Sequence, residues 1–404
     1  MQRSVFAVTG RESRTKNISR RVRRIVMSPI KEMSMLADEL GGDIISFGQG
    51  IPYLDTPEYI KEGIRKALLK KDTARYTLEP GITELRELIA KDLTARKETF
   101  VTPNKVMVTA GCQEAIACAL FTLVDEGDEV ILLSPSFASY SEQILQLGGT
   151  PVFVSLEENN GWRVNTQTVQ DAVTSKTKAI LFSHPSNPTG TVFSKEELRS
   201  LADLAKEKDL VIITDETYDF LIYDNKEFVS PISFTDIQDR VILCGSFSKK
   251  YSLTGYRVGY AVAEQGIIDH MLKVHDALAI CAPAISQKAA IAALQDSNRH
   301  VVDLVEKMKT NRELMCAKLD EMPEFFEYQK PEGAYYVLAK YKKPRMSSIE
   351  LAVKILKEAN VITIPGSAFG PAGENHLRFS FACSPEEIEQ GFVRLQSWAK
   401  TLGE

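Results

Sequence analysis

The order of apolar runs predicts an α/β protein: a large domain built on a mostly parallel mixed sheet flanked by helices, followed by a smaller α+β domain. Compact β-branched runs alternate with helical patterns from about residue 105 to 265. A long helical pattern, Asn298 to Met322, then breaks that alternation. With 404 residues, 44% of them hydrophobic, the chain is too long for one simple core, so two domains are expected, divided near residues 294 and 295.

In chain order the strands read Lys-Val-Met-Val-Thr (105–109), Glu-Val-Ile-Leu-Leu (129–133), Thr-Pro-Val-Phe-Val (150–154), Ala-Ile-Leu-Phe (179–182), Leu-Val-Ile-Ile-Thr (210–214) and Val-Ile-Leu-Cys (241–244). Each is short and bounded by Gly, Pro or Asp, and continuous apolar runs suit a parallel sheet covered on both faces. Helices fill the gaps, as over Ser194 to Lys208, which Ser194 and Glu197 open in a capping-box pattern. After residue 295 the second group of elements lies around Gly333–Leu338 and Leu377–Phe381.

Charge and cysteines exclude several function classes. The 49 basic and 54 acidic residues leave a net charge of −5, with no general basic footprint for nucleic acid. No apolar stretch is long enough to span a membrane, so a soluble protein is expected. Cys112, Cys118, Cys244, Cys281, Cys316 and Cys383 stand in apolar contexts without metal-ligand spacing, which predicts reduced thiols, no disulfide, no metal and a cytoplasmic protein. At the N-terminus Arg11, Arg14, Lys16, Arg20, Arg21, Arg23 and Arg24 outnumber Glu12, without the apolar core of a signal peptide. An organelle transit segment is one reading of that start.

The chemistry concentrates in residues 246–259, Ser-Phe-Ser-Lys-Lys-Tyr-Ser-Leu-Thr-Gly-Tyr-Arg-Val-Gly. The stretch follows the strand 241–244, so Lys249 is expected at the carboxyl end of a strand, where open α/β sheets bind ligands. A lysine amine forms Schiff bases with carbonyl cofactors, and does so best where its pKa is depressed. Ser246 and Ser248 can donate to phosphate oxygens, and the Arg257 guanidinium can clamp a phosphate through two bonds. A solvated Ser-Lys-Lys surface loop is the plain alternative. Taken together, these residues resemble the Ser-x-Ser-Lys-(x)4-Gly-x-Arg-x-Gly signature of class I and II aminotransferases, the fold type I enzymes that use pyridoxal 5'-phosphate. The likeness runs from about Ser28 to the C-terminus.

Other segments match in the order this resemblance implies. In Thr-Ala-Gly-Cys-Gln-Glu-Ala (109–115), Gly111 and Cys112 open a helix whose first amides would cradle the phosphate. His-Pro-Ser-Asn-Pro-Thr-Gly (184–190) offers Asn187 to the cofactor's phenolic oxygen, with a cis Asn187–Pro188 bond implied, while His184 reads as structural. In Asp-Glu-Thr-Tyr (215–218), Asp215 would pair with the pyridine nitrogen and Tyr218 would donate to the phenolic oxygen. Phe137 takes the place of the ring that stacks on the cofactor, and Tyr76 that of the tyrosine reaching the phosphate of a neighbouring subunit, which implies a homodimer. Arg378 would clamp the substrate's α-carboxylate, Gly48 would add backbone beside it, and Ile30 would gate the pocket. The resemblance also assigns residues 1–45 to an N-terminal arm and part of the small domain, 46–294 to the cofactor domain and 295–404 to the small domain. On that reading the basic start is an arm laid across a partner.

The activity so implied moves the amino group of an L-amino acid to a 2-oxoacid such as 2-oxoglutarate, in two half-reactions, with Lys249 as Schiff-base nucleophile and proton carrier. The same constellation serves lyases and synthases, since fold does not fix which bond breaks. A non-catalytic regulator would need an added DNA-binding domain. Cys112 stands where the aspartate and prephenate subgroup has a lysine, and 277–287 contains no arginine. Aromatic or other neutral donors are therefore expected ahead of aspartate.

Overall fold

The computed structural model describes residues 18–295 and 298–402. Arg11, Arg14 and Lys16 of the basic start lie outside them.

Thirteen strands are present among the described residues: β1 (Ile45–Ser46), β2 (Val106–Thr109), β3 (Glu129–Ser134), β4 (Thr150–Ser155), β5 (Thr177–Ser183), β6 (Val211–Asp215), β7 (Val241–Ser246), β8 (Gly259–Val262), β9 (Phe326–Tyr328), β10 (Tyr336–Tyr341), β11 (Val361–Ile362), β12 (Ile364–Pro365) and β13 (His376–Ser380). The main sheet has seven, in the order β2-β8-β7-β6-β5-β3-β4. All its pairings are parallel except those of β8, which runs antiparallel to β2 and β7. Burial explains the continuous apolar runs: β2 and β8 are buried throughout, and β5, β6 and β7 at all but one position each. At the edge, β4 buries only Val154, and its Pro151 sits where a missing amide hydrogen is tolerated.

Every strand expected from sequence is there, and the helix Lys195–Glu207 carries its complete Ser194–Glu197 capping box. The strand β8 was not expected. Its four residues follow the lysine motif directly and fall outside the βαβ alternation because the strand is antiparallel.

Two apolar clusters pack on the faces of the main sheet. A third surrounds a four-stranded antiparallel sheet, β12-β13-β10-β9, and takes in Met33, Ala37, Ile45 and Phe47. The N-terminal segment is stitched to the C-terminal part by β1, which pairs in parallel with β11. That return path carries the chain from the helix Pro29–Leu40 to the carboxyl ends of β5, β6 and β7.

Candidate active site

A cavity of about 530 Å³ opens at those strand ends. The parallel strands deliver Ser183, Asp215 and Ser246 to it from their last residues, and the turns beyond them deliver Asn187, Tyr218, Ser248, Lys249 and Arg257. Residues as far apart in sequence as Ser183 and Arg257 are thereby brought together by strand register.

At one end sits a cradle for an anion. Gly111, at φ 91°, precedes the helix Cys112–Leu123, and no side chain caps that helix among the described residues. A Cβ on Gly111 would lie 2.4 Å from Nη2 of Arg257, which explains glycine there as much as the backbone angle does. Arg257 is itself held in the left-handed region (φ 53°), donating to the carbonyls of Thr254 at 3.0 Å and Ala110 at 3.3 Å. Gly259 ends the motif because a Cβ there would lie 2.6 Å from the Cys112 nitrogen, where β8 passes beneath the turn. The Ser246 hydroxyl accepts from the Ser248 amide at 3.0 Å, and both line the cavity.

The middle of the cavity is acidic on one side and phenolic on the other. Asp215 ends β6 with Oδ1 accepting from the Thr217 amide at 3.0 Å and Oδ2 from the Tyr140 hydroxyl at 2.8 Å. Tyr218 and Tyr336 join hydroxyls at 2.7 Å, and burial holds the Tyr218 phenol well above its usual pKa. Phe137, half-buried, lines the wall and meets Tyr140 edge-on at 5.6 Å. Beside it Cys112 is buried, its thiol pushed up by Cys244 and by burial. His184 is stacked on Phe228 and Phe193 with Nε2 3.1 Å from the Val229 carbonyl oxygen, and burial drives its pKa down to about 3, so it is a neutral packing residue.

Arg378 lies beyond, on β13, fully enclosed. Its Nη1 donates to Asn187 Oδ1 at 3.0 Å and its Nη2 to the Gly48 carbonyl at 2.6 Å, while Nε has no partner. No carboxylate pairs with it among the described residues, and burial alone would expel such a charge. The Gly48 carbonyl thus holds one arm of Arg378, and the next two residues, Gln49 and Gly50, line the cavity. The Asn187–Pro188 bond is cis. Ile30 lines the mouth, and so does Lys31, one residue along the helix Pro29–Leu40.

Lys249 completes the set, its Nζ donating to the Gly50 carbonyl. Loss of hydration inside the walls, then the nearby Arg378 and Arg257 charges, push its pKa down to about 8, against an opposing pull from Asp215.

The comparisons with known proteins agree with this geometry. The profile "Aminotransferase class I and II" matches residues 42–395. The chain belongs to the class I and II aminotransferases. It is 38% identical to a probable aspartate aminotransferase of Methanocaldococcus jannaschii, over 92% of this chain and 97% of that one. It is 35% identical to aromatic-amino-acid aminotransferase 2 of Thermococcus litoralis, over 95% and 98%. Among solved structures, the aspartate aminotransferase of Thermus thermophilus with maleate superposes with a TM-score of 0.89 at 32% identity, covering 94% of this chain and 98% of that one. The aromatic aminotransferase of Pyrococcus horikoshii gives 0.86 at 35% identity, covering 92% and 99%. The fold is that of the fold type I enzymes, members of this family depend on pyridoxal phosphate, and the protein is a transaminase.

Not every residue named from sequence converges on the aminotransferase cavity. Tyr76 is 78% exposed and lines no part of its own chain's cavity. Its loop is nevertheless fixed: the Gln287 side chain accepts from the Ile82 amide at 2.7 Å and donates to Thr77 Oγ1 at 2.9 Å. Four participants escaped sequence reasoning. Tyr140 stands three residues after Phe137, at the start of the helix Ser139–Gln146, and that spacing was the available signal. Tyr336 lies in a segment read only as structure, Gly50 stands two residues past Gly48, and Lys31 sits on a helix about 220 residues from the lysine motif. Away from the cavity floor, Glu114, Cys118 and His275 bring ligand-type atoms within 4.8 Å, but both Glu114 oxygens are already engaged, by the Ala110 amide and by His275 Nδ1 at 2.9 Å.

Proposed function

We propose that the enzyme is a transaminase working by a ping-pong cycle, with an aromatic or other neutral L-amino acid as preferred donor, aspartate as a slower one, and a 2-oxoacid such as 2-oxoglutarate as acceptor. The observation that carries this is the single cavity holding a depressed lysine amine between Asp215 and an unpaired, buried arginine. The residues fit pyridoxal 5'-phosphate: an uncapped helix start with Arg257, Ser246 and Ser248 suits a phosphate, Asp215 a ring nitrogen, and Phe137 a ring face. When bound, that cofactor supplies a carbonyl and a ring that takes up electrons from the substrate's α-carbon.

The chain's own groups do the rest. With the cofactor bound, Lys249 would be the amine that holds its carbonyl carbon and, once freed, the group that moves a proton from the substrate's α-carbon. Asp215, oriented by Tyr140 and the Thr217 amide, would face the ring nitrogen as its hydrogen-bond partner. Tyr218 and Asn187 would donate to the cofactor's phenolic oxygen. Arg378 receives the α-carboxylate, and Phe137, Ile30 and Ile51 offer apolar surface to a neutral side chain. Residues before 45 and after 294 would form the part that closes over the substrate, with Ile30 at its edge. A homodimer is part of the proposal: the fixed, exposed Tyr76 suits a partner's phosphate site better than its own. Six free cysteines and no helix long and apolar enough to cross a membrane, among the described residues, accord with a cytoplasmic enzyme.

Adding single amino acids to the loaded enzyme without an oxoacid tests this reading: the visible band should convert to the pyridoxamine form, fastest with aromatic donors. Release of ammonia or pyruvate instead would make the enzyme a lyase.

Two further outcomes are expected. Capture of the cofactor by apoprotein needs a neutral lysine, so its rate should rise nearly tenfold per pH unit up to about 8 and then level off. A rise continuing past about pH 10 would mean that the amine is not depressed. Lys31 gives the cavity a cation that neither Cys112 nor residues 277–287 provide. Because it is exposed, Lys31→Met should raise KM for 2-oxoglutarate only about three- to fivefold and leave KM for phenylalanine unchanged. Equal changes for both would place Lys31 outside the substrate's reach.

A further inference from the structure

Tyr336 is used by none of the roles above, yet it touches two of them. Its hydroxyl lies 2.7 Å from that of Tyr218, and its ring centroid lies 4.3 Å from the Arg378 guanidinium carbon. It is buried at the first position of β10, whose register sets Leu338 opposite Arg378 and Tyr336 opposite Ser380 on β13. A Cβ on Gly50 would fall 1.9 Å from the Tyr336 hydroxyl, so the chain keeps a glycine at the cavity wall to admit that oxygen.

We propose that Tyr336 is a positioning residue that couples the carboxylate clamp to the phenol beside the cofactor. The inference rests on the reading of Arg378 and Tyr218 given above. Two hydroxyls in contact share one donated hydrogen between them. When Tyr336 donates to Tyr218, the Tyr218 hydrogen is free to point at the cofactor's phenolic oxygen, and each bond in such a chain strengthens the next. The ring does the second job. Arg378 is buried without a carboxylate, and the faces of Tyr336 and Phe369, at 4.3 and 4.9 Å, supply part of the compensation that holds it aimed at the cavity. Tyr335 keeps the arrangement in place, its hydroxyl donating to the Gly50 carbonyl at 2.7 Å and its ring meeting Tyr218 at 5.1 Å. The charged or titratable groups facing Tyr336 are thus Arg378, Tyr218, Tyr335 and, farther off, Asp215.

Separate substitutions divide the two jobs. Tyr336→Phe removes the hydroxyl and keeps the ring; Tyr336→Leu removes both. In loaded enzyme the pH midpoint of the visible band should rise by about half to one unit in Tyr336→Phe, because a weakened Tyr218 hydrogen bond no longer favours the deprotonated form. In a Tyr218→Phe background the same substitution should move the midpoint by less than about 0.2 unit, since the coupling partner is gone. For the unreactive acid 3-phenylpropionate, Kd should stay within about threefold in Tyr336→Phe and weaken about tenfold or more in Tyr336→Leu. An unmoved midpoint in Tyr336→Phe, a shift that repeats in full without the Tyr218 hydroxyl, or equal Kd values in all variants overturns the proposal. Band conversion by amino acids in the unsubstituted enzyme tests the transaminase reading on its own, so the two failures are told apart.

Discussion

Lys249→Ala should lose the visible cofactor band and lower kcat/KM by at least about four orders of magnitude, measured with aromatic donors and 2-oxoglutarate. The size follows from two jobs resting on one nitrogen. The amine would hold the cofactor's carbonyl carbon and, once freed, move the α-proton, and among the described residues the cavity offers no second amine beside it: Lys31 lines it from the helix Pro29–Leu40, and Arg257 and Arg378 carry guanidinium groups instead. The depressed pKa, about 8, leaves a useful neutral fraction near neutrality. Lys249→Arg keeps the charge and should lose as much, since a guanidinium is no nucleophile there. The melting temperature of the apoprotein should hardly move, because among the described residues the one side-chain hydrogen bond lost is to the Gly50 carbonyl. A Lys249→Ala protein that still transaminates would remove the lysine from the chemistry and with it the assignment built on residues 246–259.

The same residues show why so much of this site was legible in the sequence. Lys249, Asp215, Asn187 and Arg257 follow strands whose apolar runs announce themselves, and a strand end fixes where the next few residues go. Their chemistry is also local: a short spacing such as Ser246, Ser248, Lys249, Arg257 survives in linear order. Tyr336 and Lys31 had no such signal. Each reaches the cavity through tertiary packing, Tyr336 through the β10–β13 register and Lys31 through the helix Pro29–Leu40, which packs against β11, β12 and the helix Ser348–Ala359. Gly48 illustrates the opposite limit. A motif position located it beside Arg378, where its carbonyl does accept from the arginine, but the motif said nothing of the neighbouring Gly50, whose carbonyl accepts from Lys249 and from the Tyr335 hydroxyl.

Arg378→Ala should lower kcat/KM for amino acids by about two to three orders of magnitude while the cofactor still loads, because a charged, two-pronged contact to the α-carboxylate is lost. The substitution also strips donors from Asn187 Oδ1 and the Gly48 carbonyl, and a buried acceptor left unpaired costs about 1–3 kcal/mol. Part of the activity loss is therefore structural, and melting curves separate the two. Arg378→Lys sharpens the test: it restores the charge but offers one point instead of a fork, so it should recover no more than about tenfold, and chiefly in KM. If the arginine mattered only as a brace for Asn187 and Gly48, both variants would lose cofactor affinity and stability together, and amines without a carboxylate would suffer as much as amino acids. The enclosed guanidinium argues against that outcome. A purely structural arginine would be expected to hold a carboxylate partner, and this one, with Nε unbonded and no acidic group beside it among the described residues, is arranged for a carboxylate that arrives with the substrate.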